Sequence, residues 1–173
     1  MIRGRHVGLR AIEPGDLEPL RGWRNRPAFR RYFRETGEIS KDKQLQWYER
    51  IVLADPNTIM FAIERVETGE LIGACGLCYI NRIDRSADFS IYIGADDLYI
   101  DDALAPDAAR LLMAYGFEEQ NLHRLWAEIY AFDAPKAAMF PALGFTLEGR
   151  MREAHWTEGA WTDCLYFARL STD

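Results

Sequence analysis

Hydrophobic and polar residues alternate along some stretches of the chain and recur at helical spacing along others. Alternation predicts strands at residues 6–12, 59–66, 71–80, 86–92, 124–130, 146–155 and 160–170. Helical spacing predicts helices at residues 16–24, 27–34, 41–53, 99–119 (a loop followed by a helix) and 133–143. Together these strands and helices predict one compact α/β (α+β) domain over residues 1–173.

The helix at residues 41–53 has a predicted cap and a predicted buried face. Ser40 is a favoured first residue, because its hydroxyl can accept a hydrogen bond from a backbone N–H of the first turn. Leu45, Tyr48 and Val52 recur at helical spacing. We expect these three side chains to be buried together.

Residues 86–145 organise the predicted fold. They form a strand, a loop with a helix, a second strand and a second helix, ending in Leu-Gly-Phe. Two neighbouring strands connected through a helix must be parallel. The loop after the first strand then lies at the carboxyl edge of the sheet, where open α/β sheets bind ligands. We expect any cofactor to bind there.

Composition and charge narrow the class of partner. The chain is 49% hydrophobic with a formal net charge of −6, which argues against nucleic acid or an anionic membrane as its main partner. Arginines cluster locally within residues 21–34. This cluster is either a solvated helix face or a patch that recognises anions.

Neither cysteine chemistry nor membrane insertion is expected. Three cysteines are too few for a disulfide framework, and Cys75 and Cys78 fall three residues apart within a predicted strand, on opposite faces. No cluster of metal ligands is predicted. No apolar run approaches the roughly 18–20 residues of a membrane helix, so a cytoplasmic location is expected.

Five short segments carry a resemblance to a known family. They are residues 87–94 (ADFSIYIG), 110–117 (RLLMAYGF), 122–125 (LHRL), 143–145 (LGF) and 148–154 (EGRMREA). In this order they resemble the GNAT N-acetyltransferase superfamily, and most of all its RimJ/RimL-type branch. The resemblance covers nearly the whole chain and implies the GNAT fold, a single domain with a mixed, mostly antiparallel central sheet flanked by helices.

The resemblance also implies an activity. It is transfer of an acetyl or other acyl group from acetyl-CoA to an amine of a small molecule, an amino sugar or a protein N-terminus, without a covalent enzyme intermediate. Cofactor contacts are implied for the strand residues Ile91, Tyr92 and Ile93, for the loop residues Ala103, Leu104 and Ala105, and for the second-helix residues Asp133 and Phe140.

Some of these positions depart from the family pattern. The loop that holds the pyrophosphate of acetyl-CoA follows Q/R-x-x-G-x-G/A in the family, whereas residues 100–105 read IDDALA. Asp101 and Asp102 therefore add negative charge where a pyrophosphate would bind. Alternatively, aspartates here cap the helix, and Asp102 or Asp107 suits that role best. In the second helix, Asp133 replaces a frequent asparagine and Phe140 replaces a frequent tyrosine.

The candidate catalytic and acceptor residues come from the family-matched position of Asp88 and from the places of the other residues on the predicted elements. Asp88 is the first candidate for the general base and Glu128 the second; the alternatives are an exposed strand aspartate and a solvated glutamate on the sheet face. The candidate acceptor-binding residues are Trp23, Arg24, Asn25 and His155. Equally, the tryptophan can be core and the histidine structural.

Two other functions remain open on the sequence. One is a non-catalytic GNAT-fold protein that has lost CoA binding and serves as a binding or assembly module. The other is an acyltransferase whose donor is an acyl carrier protein that binds to the arginine cluster. A homodimer is an open option for the assembly of this chain.

Overall fold

The computed structural model describes residues 1–173 as an eight-stranded sheet with helices on both faces. The strands are β1 (Ile2–Arg3), β2 (Val7–Ala11), β3 (Ile59–Arg65), β4 (Leu71–Asn81), β5 (Ser86–Ile93), β6 (Arg124–Tyr130), β7 (Thr146–Thr157) and β8 (Ala160–Leu170). The helices are α1 (Leu17–Asn25), α2 (Pro27–Arg30), α3 (Lys41–Trp47), α4 (Leu104–Ala114) and α5 (Ala134–Ala142). Helices α3 and α4 each continue into a π-helical turn, Tyr48–Val52 and Tyr115–Glu119.

The sheet is mixed and mostly antiparallel. Its strand order is β1-β2-β3-β4-β5-β6-β8-β7, and β5 with β6 is the one parallel pair. The predicted architecture and the predicted parallel pair are therefore confirmed. No helix combines the length and the apolar character needed to cross a membrane.

Strands β5 and β6 separate soon after they meet. They are paired only at Ser86 with Arg124, Ala87 with Leu125 and Asp88 with Trp126. Beyond these pairs the two strands have no shared register, and the sheet opens between residues 89–93 and 127–130. We call this opening the splay cleft. Asp88 stands at its apex.

The two faces of the sheet differ in character. On one face, the side chains of β5 and β6 contribute to a 26-residue core cluster with α4 and α5. On the other, Tyr92 joins a 7-residue cluster with residues of α1 and α2. Since strand residues alternate between faces, Asp88, Ser90 and Tyr92 share this second face with Trp126, Glu128 and Tyr130. We call it the α1 face.

The predicted packing face of residues 41–53 is wrong at Leu45, whereas Tyr48 and Val52 pack against the core as predicted. Ser40 Oγ does accept the Lys43 N–H (3.1 Å), as predicted, but Leu45 is 45% exposed and Gln44 is only 4% exposed. Trp47 and Tyr48 turn towards the core with Gln44. The spacing 44, 47, 48, 51 is as helical as the predicted one, and a buried glutamine is not visible as a hydrophobic position.

Candidate active site

Asp88 lies at the point where the parallel pairing ends, and its carboxylate faces the α1 face. Burial raises the pKa of Asp88 to about 6, the Glu128 carboxylate adds to this effect, and the charges of Lys136 and Arg34 oppose it. A strand aspartate in water would titrate near 4. The alternative interpretation of Asp88 as an exposed strand aspartate is therefore wrong.

A cavity of about 340 Å³ adjoins Asp88 on the α1 face. It is enclosed by α1, α3 and strands β3 to β5, and nine of its sixteen lining residues are hydrophobic. Its polar lining includes the carboxylates of Glu35, Asp55 and Asp88. We call this the acidic cavity. Its volume is in the range of small-molecule sites.

Arg24 is the one cation of the acidic cavity. Its guanidinium forms an ion pair with Glu35 and lies 4.6 Å from the centre of the Phe33 ring. Its Nε is buried without a hydrogen-bond partner. The predicted acceptor residue Arg24 therefore lines the acidic cavity, whereas the predicted acceptor residues Trp23 and Asn25 do not.

Trp23 and Asn25 are placed in structural contacts. The Trp23 ring packs so closely on Gly94 that a Cβ at position 94 would lie 2.1 Å from it. Asn25 closes a loop through both amide atoms, donating to the Ile39 carbonyl (2.9 Å) and accepting the Ile39 N–H (2.8 Å).

A short segment crosses the splay cleft on the α1 face. Tyr32 stacks on Tyr99 with ring centres 4.2 Å apart, and Phe33 meets Tyr92 edge-on at 5.3 Å. Next to them, Arg34 forms an ion pair with Glu128 at 2.8 Å. We call residues 32–34 the bridging segment, because its side chains span from β5 to β6.

Glu128 is the centre of a polar cluster on β6, β7 and β8. It accepts hydrogen bonds from Tyr166 Oη (2.8 Å) and Cys164 Sγ (3.0 Å), and His155 Nε2 lies 3.0 Å away. Although burial opposes the effect, these contacts and Arg34 lower the pKa of Glu128 to about 2. Glu128 is thus neither a solvated glutamate nor a strong base, and His155 is one of its partners.

The Glu128 cluster contains potential metal ligands. One ligand atom from each of Glu128, His155 and Cys164 lies within 4.8 Å of the others. Arg34 bonds the same carboxylate and has Nη1 at 3.0 Å from His155 Nε2. A cation would have to displace this guanidinium, so the cluster as it stands fits an ion-pair network better than a metal site.

The family resemblance places the pantetheine arm of acetyl-CoA in the opening of the splay cleft, where the pairing of β5 with β6 ends. Residues Ile91, Tyr92 and Ile93 border it on β5, as predicted for cofactor contacts. The Ile93 N–H already donates to the Tyr99 carbonyl at 2.7 Å. The Ile93 N–H is therefore not free to donate a hydrogen bond to a pantetheine arm that lies along β5.

The loop before α4 does not fit a pyrophosphate as it stands. The Asp101 carboxylate accepts the backbone N–H groups of Ala103 (3.1 Å), Leu104 (2.8 Å) and Ala105 (2.7 Å). These are the donors that would hold a phosphate at a helix N-terminus. Asp101, rather than Asp102 or Asp107, is therefore the capping aspartate.

Asp107 has a different structural role from the predicted cap. Its Oδ2 accepts the backbone N–H groups of His6 (2.7 Å) and Val7 (3.1 Å). It thereby ties α4 to the start of β2, about 100 residues away in the chain.

The two predicted contacts on α5 are occupied within the protein. Asp133 is 1% exposed, accepts the Lys136 N–H at 3.2 Å and receives a hydrogen bond from Tyr99 Oη at 2.5 Å. Phe140 is also 1% exposed and packs among Phe89, Phe145 and Phe167. Neither side chain is open to a cofactor in this conformation.

Sequence reasoning missed several residues of the site. Tyr99 lies between Tyr32 and the ammonium of Lys136, which is 5.4 Å from its ring centre. Tyr166 belongs to the site because it is in register with Glu128. The pairing of β8 with β6 is a long-range feature, so the local pattern held no signal for Tyr166.

Comparison with known proteins identifies the family. Residues 6–146 match the family described as "Acetyltransferase (GNAT) domain". The spermidine N(1)-acetyltransferase of Vibrio cholerae is 30% identical over 156 residues, covering 90% of this chain and 87% of the relative. That of Escherichia coli K12 is 28% identical over 165 residues, covering 95% and 86%.

A solved structure shows the same architecture. The spermidine N-acetyltransferase of Vibrio cholerae in complex with CoA and spermine superposes with a TM-score of 0.88, at 26% identity, over 96% of both chains. These matches support the family rather than its RimJ/RimL-type branch in particular. The chain belongs to the GNAT family of acetyltransferases, enzymes that use acetyl-CoA as co-substrate.

Proposed function

We propose that this N-acetyltransferase acts on a primary amine of a small molecule, with Asp88 as its general base. The observation that carries the proposal is the position of Asp88, a half-buried carboxylate at the apex of the splay cleft that also lines the acidic cavity. Donor and acceptor sites thus meet at one side chain.

Asp88 has the right acidity for this role. An amine must lose a proton when it attacks a thioester, and a general base works best when its pKa lies near the operating pH. With a pKa of about 6, Asp88 is ionised at neutral pH and still takes up a proton. Glu128, with a pKa of about 2, is a weaker base and serves to hold Arg34 and His155.

The acidic cavity suits a protonated amine before reaction. Glu35, Asp55 and Asp88 attract the ammonium, and the aromatic rings of Trp47 and Tyr92 line the same cavity. The curated relatives are named as enzymes that act on spermidine, a small-molecule amine. This supports a small-molecule acceptor over an amino sugar or a protein N-terminus.

On the donor side, the edge of β5 would hold the pantetheine arm through residues Ile91, Tyr92 and Ile93. The bound cofactor supplies the thioester. The chain's own contribution is the open strand edge, the base at its apex and the bridging segment, which separates the reacting centre from solvent on the α1 face.

Three finer assignments are part of the proposal. The five motifs support membership of the RimJ/RimL-type branch. The three unpaired cysteines support a cytoplasmic location. The exposed outer edge of β7 supports self-association.

Replacement of Asp88 tests the proposed function. We expect Asp88→Asn to lower kcat by about 10²–10⁴-fold, the usual contribution of a general base, in an assay that follows CoA release with a panel of amines. CoA affinity, measured by calorimetry, is expected to stay unchanged. Asp42→Asn, at an exposed helix position, is the control. Full activity of the Asp88 variant would refute the assignment.

A further inference from the structure

A second cavity, of about 440 Å³, lies beside the acidic cavity and has the opposite charge. It is bordered by the end of α2 and the bridging segment on one side and by the β7–β8 turn on the other. Arg30, Arg31 and Arg34 line it together with Tyr130 and Trp156. We call it the arginine pocket.

The positive charge of the arginine pocket is only partly compensated. Arg31 pairs with Glu158 at 3.0 Å and Arg34 with Glu128 at 2.8 Å. Arg30 has no carboxylate within ion-pair distance, although it is half-buried. A half-buried guanidinium without an acidic partner, in a chain of net charge −6, is available to an external anion.

The arginine pocket and the acidic cavity share part of their walls. Phe33 and Glu35 line both. Glu35 itself is paired with Arg24 inside the acidic cavity, so it does little to neutralise the arginines. A molecule that reaches both cavities meets carboxylates at one end and guanidinium groups at the other.

We propose that the arginine pocket binds an acidic group, a carboxylate or a phosphate, of the acceptor whose amine is acetylated at Asp88. This inference rests on the proposed function and narrows it. The acceptor is then an amine that also carries an acid, rather than a polycation, which the unpaired charge of Arg30 would repel.

The planar guanidinium explains why these groups are the ligands inferred. Arginine donates two parallel N–H bonds to a carboxylate or phosphate, and such charge-assisted bonds are about twice as strong as neutral ones. Arg30 supplies a guanidinium that has no ion-pair partner within the protein. The other two arginines line the pocket but are already paired with Glu158 and Glu128.

Matched acceptor pairs test the proposal. The common L-amino acids are assayed against their carboxamides, and glucosamine 6-phosphate against glucosamine, with spermidine as the polycation. We expect at least one acid-bearing probe to exceed its neutral partner and spermidine by about tenfold or more in kcat/KM. The amino-acid and amino-sugar arms show whether the acid is a carboxylate or a phosphate. A preference for spermidine or for the neutral members would overturn the inference and leave the acetyltransferase activity intact.

Arg30→Gln identifies the pocket as the source of the preference. It should raise KM for the preferred acid-bearing probe about tenfold and leave the neutral partner unchanged. Arg5→Gln, an exposed arginine without an ion-pair partner, is the control. Calorimetry with the same probes gives an answer even if no acetyl transfer is seen: absence of binding, or equal binding by wild type and the Arg30 variant, refutes the pocket.

Discussion

Asp88 connects the chemistry of the site to pH. Since its carboxylate must be ionised to act as the base, kcat/KM should fall as the pH drops below about 6. Measured pH profiles of wild type and of the Glu128→Gln variant separate the two carboxylates. Because both proteins retain Asp88, we expect the acidic limb of kcat/KM near pH 6 in each of them. An acidic limb near pH 4 contradicts the assignment of Asp88 as the base.

The raised pKa of Asp88 also affects the stability of the folded protein. The pKa of Asp88 is higher in the folded protein than in the unfolded chain, so the folded state binds more protons between about pH 4 and 6. Stability is therefore lost as the pH rises through this window. Asp88→Asn should be more stable than wild type at pH 7, by at most about 3 kcal/mol, and equal to it at pH 3. Urea denaturation at the two pH values measures the difference.

Tyr99 and Asp133 form a buried contact whose loss should be costly. In Tyr99→Phe the buried Asp133 carboxylate loses its 2.5 Å donor, and the free energy of unfolding should fall by about 1–3 kcal/mol. Tyr79→Phe, at a 74% exposed position, is the matched control. If both variants unfold at the same denaturant concentration, the contact contributes nothing to stability.

At the residue scale, the sequence named Asp88 and Glu128 as candidate bases but could not give their environments. Local patterns cannot give the difference between pKa values of about 6 and 2. That difference comes from burial and from partners on β7, β8 and the bridging segment. The cap at Asp101 was also missed, with Asp102 or Asp107 predicted in its place, although all the partners of Asp101 lie within four residues.

At the element scale, the N-terminus of α4 has a built-in anion. Removing it in Asp101→Ala frees three backbone donors and a negative charge. We expect the variant to bind CoA about fivefold more tightly, while losing about 0.5–2 kcal/mol of stability with the cap. Calorimetry and denaturation measure the two effects.

Asp102→Ala makes the same change of charge without a cap, because this exposed side chain accepts no backbone N–H in the loop. Tighter binding in both variants would assign the effect to charge alone. Binding that is unchanged or weaker in Asp101→Ala would show that the carboxylate does not compete with the cofactor.

Element boundaries were largely predictable because their signals are local. Strand β6 begins and ends at the predicted residues, and Gly159 at the β7–β8 turn has a positive φ of 77°. The bridging segment was predicted as helix, but α2 ends at Arg30. Its conformation depends on Tyr92, Tyr99 and Glu128, all more than 50 residues away, so no local pattern encodes it.

At the scale of the whole molecule, β7 is a twelve-residue edge strand. It exposes Leu147, Met151 and Trp156 at 52%, 43% and 61%. Long exposed edges of this kind favour pairing with another chain, and we expect self-association through β7. Light scattering should show a dimer or larger assembly for wild type and a smaller species for Met151→Lys.

Ile83→Lys serves as the control for the β7 variant, since Ile83 is 93% exposed in a loop outside the sheet. A monomeric wild-type protein at micromolar concentration would contradict self-association. Equal dissociation by both variants would assign the effect to added charge rather than to the edge.

The strand order could be predicted only in part. From β1 to β5, strands that follow one another in the sequence are neighbours in the sheet, but the insertion of β8 between β6 and β7 brings together residues that no periodicity connects. The family resemblance implied this arrangement as a whole. The enzyme interpretation implied with it is confirmed by the comparisons, and the non-catalytic alternative is not.

The short β5–β6 pairing divides the protein into two contiguous lengths of chain. Strands β1 to β5 with α4 form one lobe, and β6 to β8 with α5 form the other; within the sheet, only three register pairs join them. Every ligand placed in the splay cleft touches both lobes and so acts as a clasp between them. When a ligand binds in the splay cleft, backbone amide hydrogen exchange along β5 and β6 should therefore slow in both lobes together.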